Sequence, residues 1–301
     1  MELRGYPGCR VRYPHRVLTA TPCRLFSAVR TIAALSLPAA CVLLAVACTV
    51  HRPPAASRAT SSLHPWGAPR SGDRRLVVLR NPGYDAGYSP DLLVSRWVAY
   101  RYTRTPDCSL PRYPGDFTAD PRLDTLSGPQ PGDYRKVWTE DMNGCDRGHQ
   151  APDAAMKAAG PEAQATSYRL TNITPQRSRF NRGFWRDLEW VTRGWAGDSD
   201  TVWVVTGPVF CAGQETLRVG ATGRLPVSHA YFEVVARRRP DRVLALLVPH
   251  RVAELPWDSA PSFAVSVDSV ERLAGLDVFP FLPESLERRA APPWPGAPPG
   301  R

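Results

Sequence analysis

Three strand-like segments follow one another in the second half of the chain, with no helical pattern between them. They are rich in β-branched and aromatic residues and comprise TVWVVTG (201–207), HAYFEVVAR (229–237) and RVLALLVP (242–249). Two earlier strands are expected at 76–80 and 95–103. Because loops and hairpins rather than regularly alternating helices connect the strands, the pattern favours an α+β fold with a mixed, mostly antiparallel central sheet.

Three helical segments are expected to flank this sheet. Residues 161–168 begin with a proline, which is favoured in the first turn of a helix. Residues 181–195 place apolar side chains at three- and four-residue steps, and Asn181 is suited to cap the N-terminus of that helix. Residues 263–276 run from a strand into a helix, with Asp268 as the expected cap.

The middle of the chain is dominated by loop signals. Residues 104–144 are dense in Pro, Asp and Gly and are predicted to form a long loop. Residues 169–176 (RLTNITPQ) are predicted to form a short strand that leaves into a turn at Pro175. The short strand is therefore expected to precede the helix at 181–195.

An apolar segment near the N-terminus separates a leader from the body of the chain. Residues 31–50 form an uncharged and mostly apolar run after an arginine-rich flank. Such a run is just long enough to span a bilayer, and it is also typical of an export signal. We therefore expect a signal or membrane-anchor segment over 1–50. The body would then be secreted, periplasmic or anchored facing outside, with mitochondrial import as the alternative.

Composition divides the rest of the chain into a linker (51–72), a globular domain (73–287) and a Pro-rich disordered tail (288–301). The net charge of +10 does not by itself indicate a nucleic-acid surface, because the first 72 residues hold nine arginines and a single acid. The body is close to neutral, so any phosphate-binding surface in it must be local. No CxxC pair is present, and a structural zinc site is not expected.

The string CDRGHQAP (145–152) concentrates residue types that suit phosphodiester hydrolysis. This reaction needs a base to deprotonate water, and cations to meet the growing charge on the phosphate. His149 is the body histidine in a polar context and is the candidate base, while Arg147 offers a planar fork for phosphate oxygens. Gly148 allows a backbone turn or the close approach of a ligand. Two other body histidines stand at strand ends and are expected to be structural: His229 and His250.

A second group of candidate residues lies on the helix predicted at 181–195. Asn181 and Glu189 are eight residues apart, which corresponds to roughly 12 Å of helix rise and about 80° of rotation. They cannot both bind one ion tightly, so one is expected to ligate directly and the other through a water. A neutral amide suits Mg²⁺, which keeps most of its waters. Simple capping by Asn181 and an ion pair between Glu189 and a neighbouring arginine remain alternatives.

These strings together resemble the DNA/RNA non-specific endonucleases, the ββα-metal nucleases that include endonuclease G-like enzymes. The resemblance rests on CDRGHQAP, LTNITPQ and NRGFWRDLE, and extends to TGPVF and SHAYFEVV. It covers roughly residues 74–286. It implies a ββα-metal active-site motif in the α+β fold and Mg²⁺-dependent, sequence-non-specific hydrolysis of DNA and RNA.

The resemblance also implies a role for each matching residue. His149 would be the general base. Asn181 would be the sole direct protein ligand of a hydrated Mg²⁺, with Mn²⁺ as an alternative ion. Glu189 would hold a metal-bound water and help to protonate the leaving oxygen.

The remaining implied roles concern the phosphate. Arg147 and Asn172 would help to form the phosphate site, and Arg193 matches a family arginine that acts there. An upstream arginine is expected to serve the transition state, for which Arg112 is the candidate and Arg104 the fallback. The expected partners are the DNA and RNA backbone, and the membrane if residues 1–50 are retained.

Three questions stay open at this point. The oligomeric state is undetermined, with a homodimer among the alternatives. The same fold could capture nucleic acid without cleaving it. A phosphodiesterase acting on other diesters is the remaining alternative function.

Overall fold

The computed structural model describes seven segments of the chain: residues 63–103, 110–125, 127–135, 144–196, 201–238, 241–251 and 257–291. The predicted leader (1–50), the fallback candidate Arg104 and residues 292–301 of the predicted tail lie outside these segments. Within the seven segments, no helix is both long enough and apolar enough to cross a bilayer.

The strands are mostly short, with four long ones at the centre of the fold. In chain order they are β1 (Arg70–Ser71), β2 (Val77–Asn81), β3 (Tyr84–Ser89), β4 (Val94–Tyr102), β5 (Cys145–His149), β6 (Ile173–Arg177), β7 (Val202–Val209), β8 (Arg218–Val219), β9 (Leu225–Pro226), β10 (Ala230–Arg237), β11 (Arg242–Pro249), β12 (Ala264–Val265) and β13 (Leu276–Asp277). The helices are α1 (Asp153–Ala159), α2 (Pro161–Ser167), α3 (Ser178–Phe180), α4 (Arg186–Gly194), α5 (Val267–Ala274) and α6 (Glu284–Glu287).

Seven strands form one sheet in the order β12-β11-β10-β7-β4-β3-β2, and every neighbouring pair is antiparallel. The predicted α+β class with a mostly antiparallel sheet is confirmed. The central strands β10 and β11 are buried along almost their whole length, because helices and loops cover both faces of the sheet. Their Val, Leu and Phe side chains belong to the main hydrophobic core.

The helices pack onto this sheet through aromatic and aliphatic side chains. Helix α5 contacts β11 and β7. On α3, the ring of Phe180 stacks on Tyr231 of β10, with 5.4 Å between ring centroids. Leu188 and Val191 of α4 are fully buried in the same core. The helix that follows β6 is therefore anchored to the main sheet.

A separate two-stranded unit carries the CDRGH string. Strand β5 pairs antiparallel with β6 in a register that places Asp146 opposite Gln176 and His149 opposite Ile173. Helices α1 and α2 lie in the connection between the two strands. The chain leaves β6 directly into α3, so the order of this unit is strand, strand, helix.

The helix after β6 differs from the one expected at 181–195. It begins at Ser178 and runs through a π-helical turn, Asn181–Trp185, into α4. Gly183 has non-helical backbone angles (φ −104°, ψ −117°) and kinks the helix there. Asn181 has helical angles (φ −61°, ψ −46°), so the prediction that it caps the helix is wrong.

Other local predictions need correction. The strand predicted at 169–176 is a 3₁₀ turn (Leu170–Asn172) followed by β6, and Pro175 is paired within β6 rather than turning out of it. Helix α5 is capped by Ser266, whose side chain accepts from the Ser269 amide, and not by Asp268. Ordered structure also begins before residue 73, inside the stretch predicted as a linker. Trp66 is 4% exposed, and β1 pairs with β13.

The predicted strands of the main sheet agree closely with the structure. Those expected at 95–103, 229–237 and 242–249 correspond to β4, β10 and β11. The proline-led helix is α2, with its proline in the first turn. Two cysteines of the body are described: Cys211 is disulfide-bonded, and Cys145 is a buried free thiol.

Candidate active site

A cleft of about 1070 Å³ opens where β5, the kinked helix and the loop around residue 112 meet. Five of the predicted site residues line it: Arg112, Arg147, His149, Asn181 and Glu189. They come from three separate stretches of the chain. The fold therefore brings the CDRGH string and the 181–189 string to one place.

His149 lines this cleft with a partly buried imidazole. Its Nε2 atom is buried without a hydrogen-bond partner among the described residues. Burial lowers the pKa of His149 to about 4, the charge of Asp153 opposes this shift, and the charge of Arg112 adds to it. The free imidazole is therefore neutral at pH 7 and able to accept a proton.

Two aromatic rings fix the imidazole from the sides. Tyr168 meets the His149 ring edge-on, with 4.8 Å between centroids, and Phe117 lies 5.4 Å from it. Phe117 also packs under the guanidinium of Arg147, whose Cζ atom is 4.4 Å from the ring centroid. Phe117 thus holds the candidate base and the candidate phosphate-binding arginine side by side.

Asp146 orients the amide of Asn181. Nδ2 of Asn181 donates to Oδ2 of Asp146 at 2.9 Å. The same carboxylate accepts from Ser178 Oγ at 3.0 Å and from Arg182 through two bonds of 2.8 and 2.6 Å. Burial opposes ionisation of Asp146, but these hydrogen bonds outweigh it and hold its pKa below the ordinary value. Because Nδ2 is engaged, the amide offers Oδ1 as its ligating atom.

Glu189 lines the cleft one helical segment beyond Asn181 and is half-buried. Burial, and next the carboxylate of Glu233 on β10, raise the pKa of Glu189 well above its ordinary value. Glu233 is itself 1% exposed, and burial raises its pKa to about 7, although Thr192 donates to it at 2.7 Å. A cation near Glu189 would favour the ionised form of both carboxyls.

The side-chain oxygens of the cleft suit a hard cation that takes few protein ligands. The described residues contain no group of three or more His, Cys, Asp or Glu side chains placed to hold a metal. Asn181 and Glu189 line the cleft beside the candidate base, together with the carboxylates of Asp146 and Asp153. One amide oxygen together with a carboxylate acting through water suits Mg²⁺, which dehydrates reluctantly.

Two predicted site residues are not brought into the cleft. Asn172 is fully buried, and its amide bonds only to backbone: Oδ1 accepts from Ala151 N at 2.9 Å, while Nδ2 donates to the carbonyls of Ala151 and Ser167. It holds the chain that follows His149. Arg193 is exposed on α4 and is not among the residues that line the cleft.

Arginines on the helix that carries Asn181 are largely engaged with acids. Arg182 pairs with Asp146, and Arg186 pairs with Asp187 at 2.7 Å, although both arginines line the cleft. Arg112 is exposed and also lines the cleft. Sequence reasoning missed Asp146 as the residue that orients Asn181 and Phe117 as the ring beside His149. The acid in the first position of DRGH was the available signal for Asp146.

The structural histidines behave as expected. Nε2 of His250 accepts from the Arg177 amide at 2.8 Å, and Nδ1 donates to the Ser228 carbonyl at 2.9 Å. Nδ1 of His229 accepts from the Cys211 amide at 3.1 Å. Both rings tie strand ends together, and neither lines the cleft.

The sequence of this chain is similar to those of known nucleases. Residues 65–285 match the family model described as DNA/RNA non-specific endonuclease. A nuclease of Serratia marcescens is 29% identical over 230 residues, covering 73% of this chain and 81% of that protein. The mitochondrial nuclease EXOG of Danio rerio is 30% identical over 237 residues, covering 72% of this chain. The chain spans 64% of the length of that mitochondrial relative.

A solved structure shares the fold. The crystal structure of the EndoG/EndoGI complex superposes with a TM-score of 0.63 at 23% identity, covering 74% of this chain and 92% of that chain. Other relatives include mitochondrial nucleases of Xenopus laevis and Saccharomyces cerevisiae, at 28% and 27% identity.

Proposed function

Since the chain belongs to the DNA/RNA non-specific endonuclease family, we propose that it is a Mg²⁺-dependent endonuclease that hydrolyses phosphodiester bonds in DNA and RNA without regard to sequence. One observation supports this most strongly. The imidazole of His149 and the oriented amide of Asn181 line the same cleft from separate elements, as do Arg112 and Arg147. Such a cleft contacts the backbone, which carries no base information.

His149 is proposed to accept the proton of the attacking water through Nδ1. The ring is neutral before substrate binds, and a phosphate placed beside it raises its pKa toward the working pH. Tyr168 and Phe117 prevent rotation of the ring, so the nitrogen keeps its direction. Arg112 and Arg147 are proposed to bind the phosphate oxygens as negative charge grows there.

Asn181 and Glu189 are proposed to hold the ion, with Mg²⁺ as the first choice and Mn²⁺ as the alternative. When bound, the cation would neutralise charge on the phosphate and leaving oxygen. Asn181 would ligate through Oδ1, because Asp146 occupies its Nδ2. Glu189 would act through a water and supply the proton that the leaving oxygen needs.

The experiment is digestion of plasmid DNA and of RNA by the purified chain, with Mg²⁺ and with a chelator. We expect cleavage of both substrates that stops with chelator, and we expect His149→Ala to abolish it while circular dichroism stays native. Arg112→Ala should slow cleavage strongly, whereas Arg272→Ala on α5, outside the cleft, is the matched arginine control. Binding without cleavage, or cleavage only of a small aryl phosphodiester, would refute the proposal.

We further propose that residues 1–50 take this domain out of the cytoplasm. The arginine-rich flank followed by the uncharged run at 31–50 supports export or anchoring facing outside. Mitochondrial import is the alternative. Several relatives are named mitochondrial nucleases, and their name applies to those proteins.

A further inference from the structure

Helix α4 continues the rim of the cleft beyond the residues that line it. Arg186 lines the cleft, and its side chain is 56% exposed. Trp190 follows four residues later within the same regular helix and is 39% exposed. Residues four apart lie on the same helix face, about 6 Å apart along the axis. Trp190 is therefore on the face that carries Arg186, one turn further from the metal-binding end.

Trp190 is more exposed than the tryptophans of the core. Trp66, Trp97, Trp185 and Trp195 are all at most 9% exposed and belong to the core. Among the residues that the structure describes, Trp190 has neither a ring partner nor an acceptor for its indole N–H. An uncovered indole of this size is a poor choice for a plain solvent surface, because its apolar faces stay hydrated.

Phe281 offers a useful contrast. It is the other aromatic side chain with a comparable exposure, 37%, in the described segments. Its ring is covered by the guanidinium of Arg70, whose Cζ atom lies 5.2 Å from the centroid. Exposure of Phe281 is therefore explained within the fold, while exposure of Trp190 is not.

Charge around Trp190 suits a polyanion. Arg186, which pairs with Asp187 but keeps an exposed side chain, precedes it by one turn, and Arg193, also exposed, follows it three residues later. Cationic groups that follow a phosphate backbone, interleaved with an aromatic face, form the usual arrangement for binding single strands. The indole faces can stack on any base, because every base has a π-face.

We propose that Trp190 is a base-stacking subsite that takes an unpaired base of the strand whose phosphate lies in the cleft. This inference rests on the proposed nuclease function. A base inside a duplex is already stacked on both sides, so the indole can engage only a single-stranded, frayed or extruded base. Trp190 would then favour single-stranded DNA and RNA over duplex without reading base identity.

The test compares Trp190→Ala and Trp190→Phe with the unmodified chain. Substrates are a single-stranded oligonucleotide and a blunt duplex of the same sequence. We expect Trp190→Ala to raise KM for the single strand about tenfold with kcat unchanged, while KM for the duplex changes less than about twofold. Trp190→Phe should keep most of the affinity, because the aromatic face remains. Leu217→Ala, an exposed apolar residue outside the cleft, is the control.

A second arm keeps this inference separate from the nuclease proposal. Affinity for the labelled single strand is measured by fluorescence anisotropy in chelator, where no cleavage occurs, and sedimentation gives the oligomeric state. If the unmodified chain binds the strand but never cleaves, the nuclease proposal fails while the Trp190 effect on binding still stands. Equal effects on both substrates, no effect in either arm, or a change only in oligomeric state would overturn the subsite.

Discussion

Removing the carboxylate of Asp146 should weaken metal binding without touching any proposed ligand. Asp146→Ala deletes the acceptor that fixes Nδ2 of Asn181 at 2.9 Å. A hydrogen bond to a charged group contributes about 1.5–3 kcal/mol, and tenfold in a binding constant corresponds to about 1.4 kcal/mol. The Mg²⁺ concentration for half-maximal activity should therefore rise about 10- to 100-fold, with near-normal activity at saturating metal.

Two further variants separate orientation of Asn181 from a general effect of charge. Asp146→Asn keeps a neutral acceptor at the same position, so its effect on half-saturation should be smaller than that of Asp146→Ala. Asp187→Ala is the matched control, because Asp187 is also an acid of low exposure that pairs with an arginine of the same helix but does not contact Asn181. Asp146 also bonds Ser178 and Arg182, so unfolding must be monitored alongside.

The assay is initial-rate cleavage of a fluorogenic oligonucleotide as Mg²⁺ is varied at constant ionic strength. An unchanged half-saturation in Asp146→Ala would refute the idea that this carboxylate orients the ligand. A shift of equal size in Asp187→Ala would refute it too, since the effect would then be one of general charge. Loss of activity that no Mg²⁺ concentration restores would assign Asp146 a different role.

Two further predictions concern stability. A Cβ on Gly148 would lie 2.2–2.5 Å from side-chain atoms of the fully buried Gln176, so Gly148→Ala should cost about 1–3 kcal/mol in thermal unfolding. Gly194→Ala, where nothing lies within 4 Å, should not destabilise. Burial lowers the pKa of His250 to about 3, below its unfolded value near 6.5. The unfolded state therefore binds more protons. As a result, His250 lowers the free energy of unfolding as the pH falls from about 6.5. Glu233 makes the opposite contribution to the pH dependence of stability, because its pKa is raised to about 7. The measurement is therefore the difference in the free energy of unfolding between the unmodified chain and His250→Gln. This difference should decrease by about 1.4 kcal/mol for each pH unit below about 6.5. A difference that does not change with pH would contradict the prediction.

The sheet was predictable because its strands are long and apolar, whereas β3 was not. All six residues of β3, YDAGYS, are buried, so no alternation of apolar and polar positions marks it. Gly87 is required there because a Cβ would overlap the ring of Trp97, at 2.0 Å from Nε1. Gly87 and Trp97 lie on neighbouring strands, so their contact leaves no pattern in the sequence around Gly87. Helix α1 was missed for a similar reason, since DAAMKAA has only a short apolar face.

The candidate site was predictable as a set of residues but not as a set of contacts. His149, Asn181 and Glu189 share the cleft as their motifs predict. Whether Asn181 caps a helix or lies inside it depends on where the helix begins, and β6 continues directly into α3 at Ser178. Asn172 carries the same residue type as Asn181, but its position in the chain connection turns its amide toward backbone. Such differences are set by tertiary neighbours, which spacing alone does not specify.

The order of residues in DRGH follows from the two-residue period of a strand. Successive side chains of β5 point to opposite faces, so Asp146 and Gly148 share one face while Arg147 and His149 share the other. On the first face, Asp146 orients Asn181 of the following helix, and Gly148 leaves room for Gln176 of β6. The second face holds Arg147 and His149 against Phe117. One short strand thus carries Asp146 on one face and Arg147 and His149 on the other, and a one-residue slip in its pairing with β6 would exchange the two faces.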